Sequence, residues 1–177
     1  MKLLAYEVDK RSFLGIFNED ETWVYPISAA GMEYRSMKDL IREAGPSEME
    51  MLDYISKKAP GDVTGAAPVE EIKIVSPIPE PDQDIICLGI NYMDHAAESA
   101  RFQKEEFARP EKAIYFSKRV NRTNDPDGII PAHKNLTNQL DYEAELAVII
   151  KKDAKDVKPE EVKDYIFGYT IMNDVSA

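Results

Sequence analysis

Two glutamates and a later aspartate are the side chains of this sequence best suited to chemistry. Glu143 and Glu145 lie in the run Asp141-Tyr-Glu-Ala-Glu-Leu-Ala147, and Asp174 lies in Met172-Asn-Asp-Val-Ser-Ala177. The first run leads into Val148-Ile-Ile150 and reads as a strand, because a polar alternation gives way to small and apolar residues. Side chains two apart in a strand share a face. Glu143 and Glu145 therefore stand together, while Tyr142, Ala144 and Leu146 face the other way. Two carboxylates that close repel each other, and without a counter-ion at least one would hold its proton more tightly. A hard divalent cation resolves the conflict, since oxygen ligands suit Mg²⁺, Mn²⁺ or Ca²⁺. An isolated Glu-x-Glu is more often a solvated strand face, so its neighbours decide the matter. Asp141 shares the face but lies further along, as an outer support at most.

A second cluster is Asn91-Tyr-Met-Asp-His-Ala-Ala-Glu98, at the start of an expected helix from about Tyr92 to Phe102. Asn91 can cap that helix, and Asp94 suits its positive N-terminus. His95 and Glu98 are three apart and share a helix face. A carboxylate beside an imidazole fixes its tautomer and raises its basicity, which lets the ring take a proton from water. Alone, such a pair is commonly a surface contact worth roughly 0.2–0.5 kcal/mol. Lys118 ends the strand that includes Ala113-Ile-Tyr-Phe-Ser117 and could hold a substrate carboxylate or an enolate. Arg119 and Arg122 read as solvated bases, and His133 as an incidental loop residue. The sequence has no glycine-rich phosphate loop, Gly-x-Ser-x-Gly elbow, Cys-x-x-Cys pair or His-Glu-x-x-His run.

The elements that must position these groups fall into two parts. Residues 1–76 read as a small α+β domain, with strands Leu3–Val8, Phe13–Phe17 and Trp23–Ile27. Ser36 with Asp39 opens a helix through Ile41 that Gly45-Pro46 stops, and Ser47 with Glu50 opens another that ends before Pro60-Gly61. Val69 to Val75 is expected as a strand, and Pro77, Pro79 and Pro81 make a stiff connection. Residues 77–177 form the second part. Ile85 to Ile90 reads as a fully buried strand, Lys112 to Lys118 as another, and Asn124-Asp-Pro-Asp-Gly128 as a turn. Leu140 to Ile150 is the acidic strand. Pro159 opens a short helix to about Lys163, and a last strand, Phe167 to Met172, delivers Asn173 and Asp174.

Composition narrows the role. The chain of 177 residues is 44% hydrophobic, which is ordinary for a folded protein. Its net charge of −11 argues against nucleic acid or an anionic membrane as the main partner. Cys87 is the only cysteine, set in an apolar run where it reads as a buried small hydrophobe. No disulfide can form within the chain, in keeping with a reducing cytoplasm. The opening residues are too short and too soon charged for a signal peptide, and no apolar run is long enough to span a bilayer.

Taken in order, four stretches resemble the fumarylacetoacetate hydrolase family. They are Leu88-Gly-Ile-Asn-Tyr-Met-Asp-His95 with Glu98, Tyr115-Phe-Ser-Lys118, Asp141-Tyr-Glu-Ala-Glu-Leu-Ala147, and Gly168-Tyr-Thr-Ile-Met-Asn-Asp-Val-Ser-Ala177. The resemblance implies a mixed β-roll catalytic domain behind the small α+β domain, an α+β chain overall. It implies Glu143, Glu145 and Asp174 as ligands of Mg²⁺ or Mn²⁺, with Ca²⁺ in some members, and Asp94 as an extra ligand in larger relatives. It implies His95 with Glu98 as a water-activating dyad, Lys118 near the dyad and the substrate, and a homodimer. The substrate would be a 2-oxo or 1,3-dicarbonyl acid. Its reaction would be hydrolysis of a C–C bond in an acylpyruvate-like or fumarylacetoacetate-like acid. Decarboxylation of oxaloacetate or isomerisation of a 2-hydroxydiene dioate would use the same site. Relatives continue past the counterpart of Ala177, so the chain is expected to be incomplete at its C-terminus. An inactive fragment is then a third possibility.

Overall fold

The computed structural model describes residues 1–92 and 112–177. Two compact units emerge from it, Met1–Pro77 with Asn124–Ala177, and Ile78–Thr123. Among the described residues no helix is long and apolar enough to cross a membrane.

The first unit contains a five-stranded antiparallel sheet in the order β4-β3-β2-β1-β5. Its strands are β1 (Leu3–Val8), β2 (Arg11–Phe17), β3 (Trp23–Pro26), β4 (Ala67–Pro68) and β5 (Lys73–Val75). Asp9 and Lys10 join β1 to β2 with φ of 50° and 63°. That is the geometry of a two-residue turn whose twist matches the strands it joins. The tight turn carries the ladder out to Val8 opposite Arg11, so β2 starts two residues before the expected Phe13. Leu4, Tyr6 and Val24 form a buried cluster with Val8, Phe17, Val69, Ile72 and Ile74 packed against it. Ile16, Tyr25, Leu40 and Leu52 are fully buried as well, and the Tyr25 hydroxyl donates to the Lys58 carbonyl at 2.8 Å.

Helix α1 (Met37–Glu43) starts as the sequence predicts, with the Ser36 hydroxyl accepting the Asp39 N–H at 3.1 Å. Helix α2 (Pro46–Ser56) starts earlier than the expected Ser47 cap. Gly45 is its N-cap, and Glu48 reaches back to accept the Gly45 N–H at 2.9 Å. Proline supplies no N–H and a helix-ready φ, so it belongs at the first helical position and does not stop the preceding helix there. The other Glu48 oxygen accepts the Tyr34 hydroxyl at 2.6 Å. These two bonds hold the Glu48 carboxyl below its usual range, and the carboxylate pushes the Tyr34 hydroxyl up to about 12.

The expected strand Val69–Val75 is divided. Val69–Glu71 is a 3₁₀ turn between β4 and β5, and Pro68 sits on the edge strand where a missing N–H is tolerated. The Asn124–Gly128 turn closes with the Gly128 N–H on the Asp125 carbonyl at 3.0 Å. The Asp125 carboxylate accepts the Ser76 N–H at 3.0 Å and the Lys73 ammonium at 3.2 Å. Two further strands, Ala144–Ile150 and Ile166–Asn173, pair in this unit and are described with the site below.

In the second unit β6 (Ile85–Gly89) pairs antiparallel with β7 (Ile114–Lys118), Ile85 opposite Lys118. Full burial of the Ile85–Ile90 strand is overturned, since Ile86 is 66% and Leu88 45% exposed. A continuous apolar run reads as buried only if layers cover both faces, and this pair does not supply them. Cys87, expected to be buried, is partly exposed. Thr123 closes the unit, its N–H on the Pro79 carbonyl at 2.8 Å and its hydroxyl on the Ile78 carbonyl at 3.0 Å.

Two outcomes follow. A Cβ at Gly15 would lie 2.8 Å from Tyr6 Cε1 and from Val24 Cγ1. Gly15→Ala is therefore expected to cost about 1–3 kcal/mol in urea unfolding. The Glu48 contribution is present above its unfolded pKa of about 4.3 and is lost as pH falls through the lower folded value. Glu48→Gln should consequently flatten the fall in Tm between about pH 5 and pH 3 relative to the parent chain.

Candidate metal centre

Strand β8 (Ala144–Ile150) pairs antiparallel with β9 (Ile166–Asn173). Ala144 stands opposite Asn173, Glu145 opposite Met172 and Ala147 opposite Thr170, with a bulge at Ile149/Ile150. Beyond the ladder Asp141 and Ser176 form an antiparallel bridge and exchange both backbone bonds, at 2.9 and 3.1 Å. The bridge keeps the ladder's register. Asp174 therefore stands opposite Glu143, and its N–H donates to the Glu143 carbonyl at 2.8 Å.

Opposed residues in an antiparallel pair point to the same side, and successive residues alternate. One face of the pair thus carries Asp141, Glu143 and Glu145 from one strand with Met172, Asp174 and Ser176 from the other. The opposite face carries Tyr142, Ala144 and Leu146, of which Tyr142 is 79% and Leu146 61% exposed. Asp174 is buried at 5% exposure, and Glu143 and Glu145 are half-buried. The Ser176 hydroxyl donates to Glu143 Oε1 at 3.1 Å, and Asn173 Oδ1 accepts the Glu143 N–H at 3.1 Å. Asp141 turns one oxygen back to the Tyr142 N–H at 2.9 Å.

The all-oxygen donor set on this face fits a hard divalent cation. Among the described residues no three His, Cys, Asp or Glu side chains are grouped as a metal site. The backbone accordingly brings the three carboxylates to one side without drawing their tips around a common point. Lys118 closes β7 in the other unit and is half-buried. Asp94, His95 and Glu98 lie outside the described residues. Sequence reasoning missed Ser176 and Asn173. Ser176 was accessible in principle, because it follows Asp174 by two in an extended segment and so shares its face.

The sequence profile of the fumarylacetoacetate hydrolase C-terminal domain matches residues 84–177. The chain belongs to the fumarylacetoacetate hydrolase family. Over its whole length it is 40% identical to the oxaloacetate tautomerase YisK of Bacillus subtilis and covers 60% of that protein. It is 43% identical, over 62% of its length, to 33% of a fumarylacetoacetate hydrolase domain-containing protein 2 homolog of Dictyostelium discoideum. The fumarylacetoacetate hydrolase of Exiguobacterium antarcticum superposes on all of the chain with TM-score 0.66 and 27% identity, over 56% of that enzyme. A Sphingobium maleylpyruvate hydrolase, solved with manganese(II) and pyruvate, matches 99% of the chain and 58% of its own length at TM-score 0.61. Its 22% identity speaks for the fold alone. The α+β fold is that of this family, and the family resemblance drawn from the four motifs holds. The chain spans about 60% of the length of its curated tautomerase relative.

Proposed function

We propose that this chain carries the metal-binding part of an enzyme that enolises a small 2-oxo acid, oxaloacetate or a close analogue. Glu143, Glu145 and Asp174 would hold the cation, Mg²⁺ or Mn²⁺, with Ca²⁺ a third choice. The observation that carries this reading is the register of β8 and β9, which sets all three carboxylates on one face. The 40% identity to an oxaloacetate tautomerase supports the substrate class, and the all-oxygen donor set of that face supports a hard divalent ion. Register is the part that side-chain rotation cannot supply. Each glutamate can swing about three bonds, and a shared cation offsets the repulsion that otherwise keeps the tips apart.

When bound, the ion would polarise the 2-oxo carbonyl as a Lewis acid. In enolisation one proton leaves the carbon beside that carbonyl and one is gained by its oxygen, so the acid is neither cleaved nor oxidised. Lys118 would hold the substrate carboxylate or the enolate oxygen. Enolisation would not require His95, which, oriented by Glu98, would activate water in the hydrolytic reading below.

Hydrolysis of a C–C bond in a 1,3-dicarbonyl acid is the second reading, supported by the His95 and Glu98 spacing and by the likeness to a fumarylacetoacetate hydrolase. There His95 takes a proton from water, the water oxygen attacks the distal carbonyl, and the C–C bond breaks. The enolate of the 2-oxo acid leaves. Oxaloacetate decarboxylation and 2-hydroxydiene-dioate isomerisation would share the same enolate. The protein would act in the cytoplasm as a homodimer on a small molecule, with no nucleic-acid or membrane partner.

Enol decay of oxaloacetate and cleavage of an acylpyruvate, followed by absorbance with and without chelator, discriminate these readings. We expect chelator to abolish the faster of the two. His95→Ala should abolish hydrolysis while sparing tautomerisation. Glu145→Gln and Asp174→Asn should each weaken Mn²⁺ binding by more than about tenfold in calorimetry, as loss of a ligand costs at least as much as loss of a supporting residue. A chain that binds neither Mn²⁺ nor Mg²⁺ would favour the inactive fragment, and a monomer in light scattering would count against the dimer.

A further inference from the structure

We infer that Ser176 is a positioning residue that presets the Glu143 carboxylate for a divalent cation, with Asn173 holding the backbone beneath it. This rests on the metal reading above and assigns a task to a residue that reading leaves idle. Among the described residues the Ser176 hydroxyl reaches Glu143 Oε1 at 3.1 Å and the Asp174 carbonyl at 3.4 Å. A carboxylate oxygen is the stronger acceptor and here the nearer one, so the proton goes to Glu143.

The donor is itself held in place. Ser176 exchanges both backbone bonds with Asp141, which pins its Cα across the strand pair. Glu143 is pinned from the same side, its carbonyl accepting the Asp174 N–H at 2.8 Å and its own N–H donating to Asn173 Oδ1 at 3.1 Å. In a regular ladder the Glu143 N–H would go to the backbone carbonyl opposite. The Asn173 side-chain oxygen replaces that bond at the acidic end of the ladder. A carboxylate offers about four lone-pair directions. The serine occupies one at Oε1 and leaves Oε2 for a cation. A long side chain oriented beforehand loses less freedom when the ion binds, which is how outer hydrogen bonds strengthen metal sites.

The test is Mn²⁺ binding to the full chain, read by calorimetry and by loss of the free-ion electron paramagnetic resonance signal, beside Tm without metal. Ser176→Ala should weaken binding about tenfold while the metal-free Tm stays put. Ser176→Thr, which keeps the hydroxyl, should restore it. Three results would overturn the inference: Ser176→Ala binding as tightly as the parent, failure of Ser176→Thr to rescue, or a matching drop in metal-free Tm. Glu143→Gln separates this from the wider reading. If it loses Mn²⁺ while Ser176→Ala does not, only the positioning role falls. If parent and Glu143→Gln bind alike, the metal centre falls and takes the positioning role with it.

Discussion

The antiparallel register of β8 and β9 is the constraint on which the proposed metal centre of this chain rests. Side chains alternate along a strand with a period of two, so a slip by one residue would carry Asp174 to the face of Tyr142 and Leu146. The register is held near the acidic end by the Asp141–Ser176 bridge, with its two backbone bonds, and by the Asp174 N–H on Glu143. The one irregularity, at Ile149/Ile150, lies at the far end of the ladder. A bulge there can bend the strand without disturbing which residues share a face with Glu143 and Glu145.

The five-stranded sheet has a different task. It offers a core of its own, closed by Leu4, Tyr6, Val24 and Tyr25, and meets the returning chain through polar contacts. Asp125 receives both a backbone N–H from Ser76 and the Lys73 ammonium, and Lys73 also lies 3.5 Å from Glu7. The hydrogen bond that Lys73 donates to Asp125 raises its pKa first, with the Glu7 charge adding to it. Lys73 is largely exposed, so the ion pairs add little energy. Their use is geometric, because the bond to Ser76 N–H ties the start of the returning segment to the end of β5.

Relatives of this chain are named for tautomerase, isomerase and hydrolase activities. One physical step is common to such chemistry, the stabilisation of negative charge on an oxygen beside a carboxylate. The proposed three-carboxylate metal centre would serve it whichever bond changes next. The fate of the enolate is set by groups that deliver protons or water and by the walls of the substrate site. For this chain the groups proposed for that part are His95 and Glu98, whose three-residue spacing is visible in the sequence.

Local rules were legible at single residues. Ser36 capping α1, the break at Gly128 and the pairing of Glu143 with Glu145 on one face each depend on a few neighbouring positions. The start of α2 was misread for a local reason too, since Pro46 can open a helix as well as end one. Burial of Ile86 and Leu88 was misjudged because apolar character records what a residue tolerates, not which layer covers it. By itself the sequence determined the acidic strand, its period and the family. Only the tertiary structure decided that Asp174 faces Glu143 and that Ser176, 33 residues away in the chain, donates to it. Pairing between distant segments is chosen by which faces pack together and by the turns that bring them round, and no repeat within either segment encodes its partner.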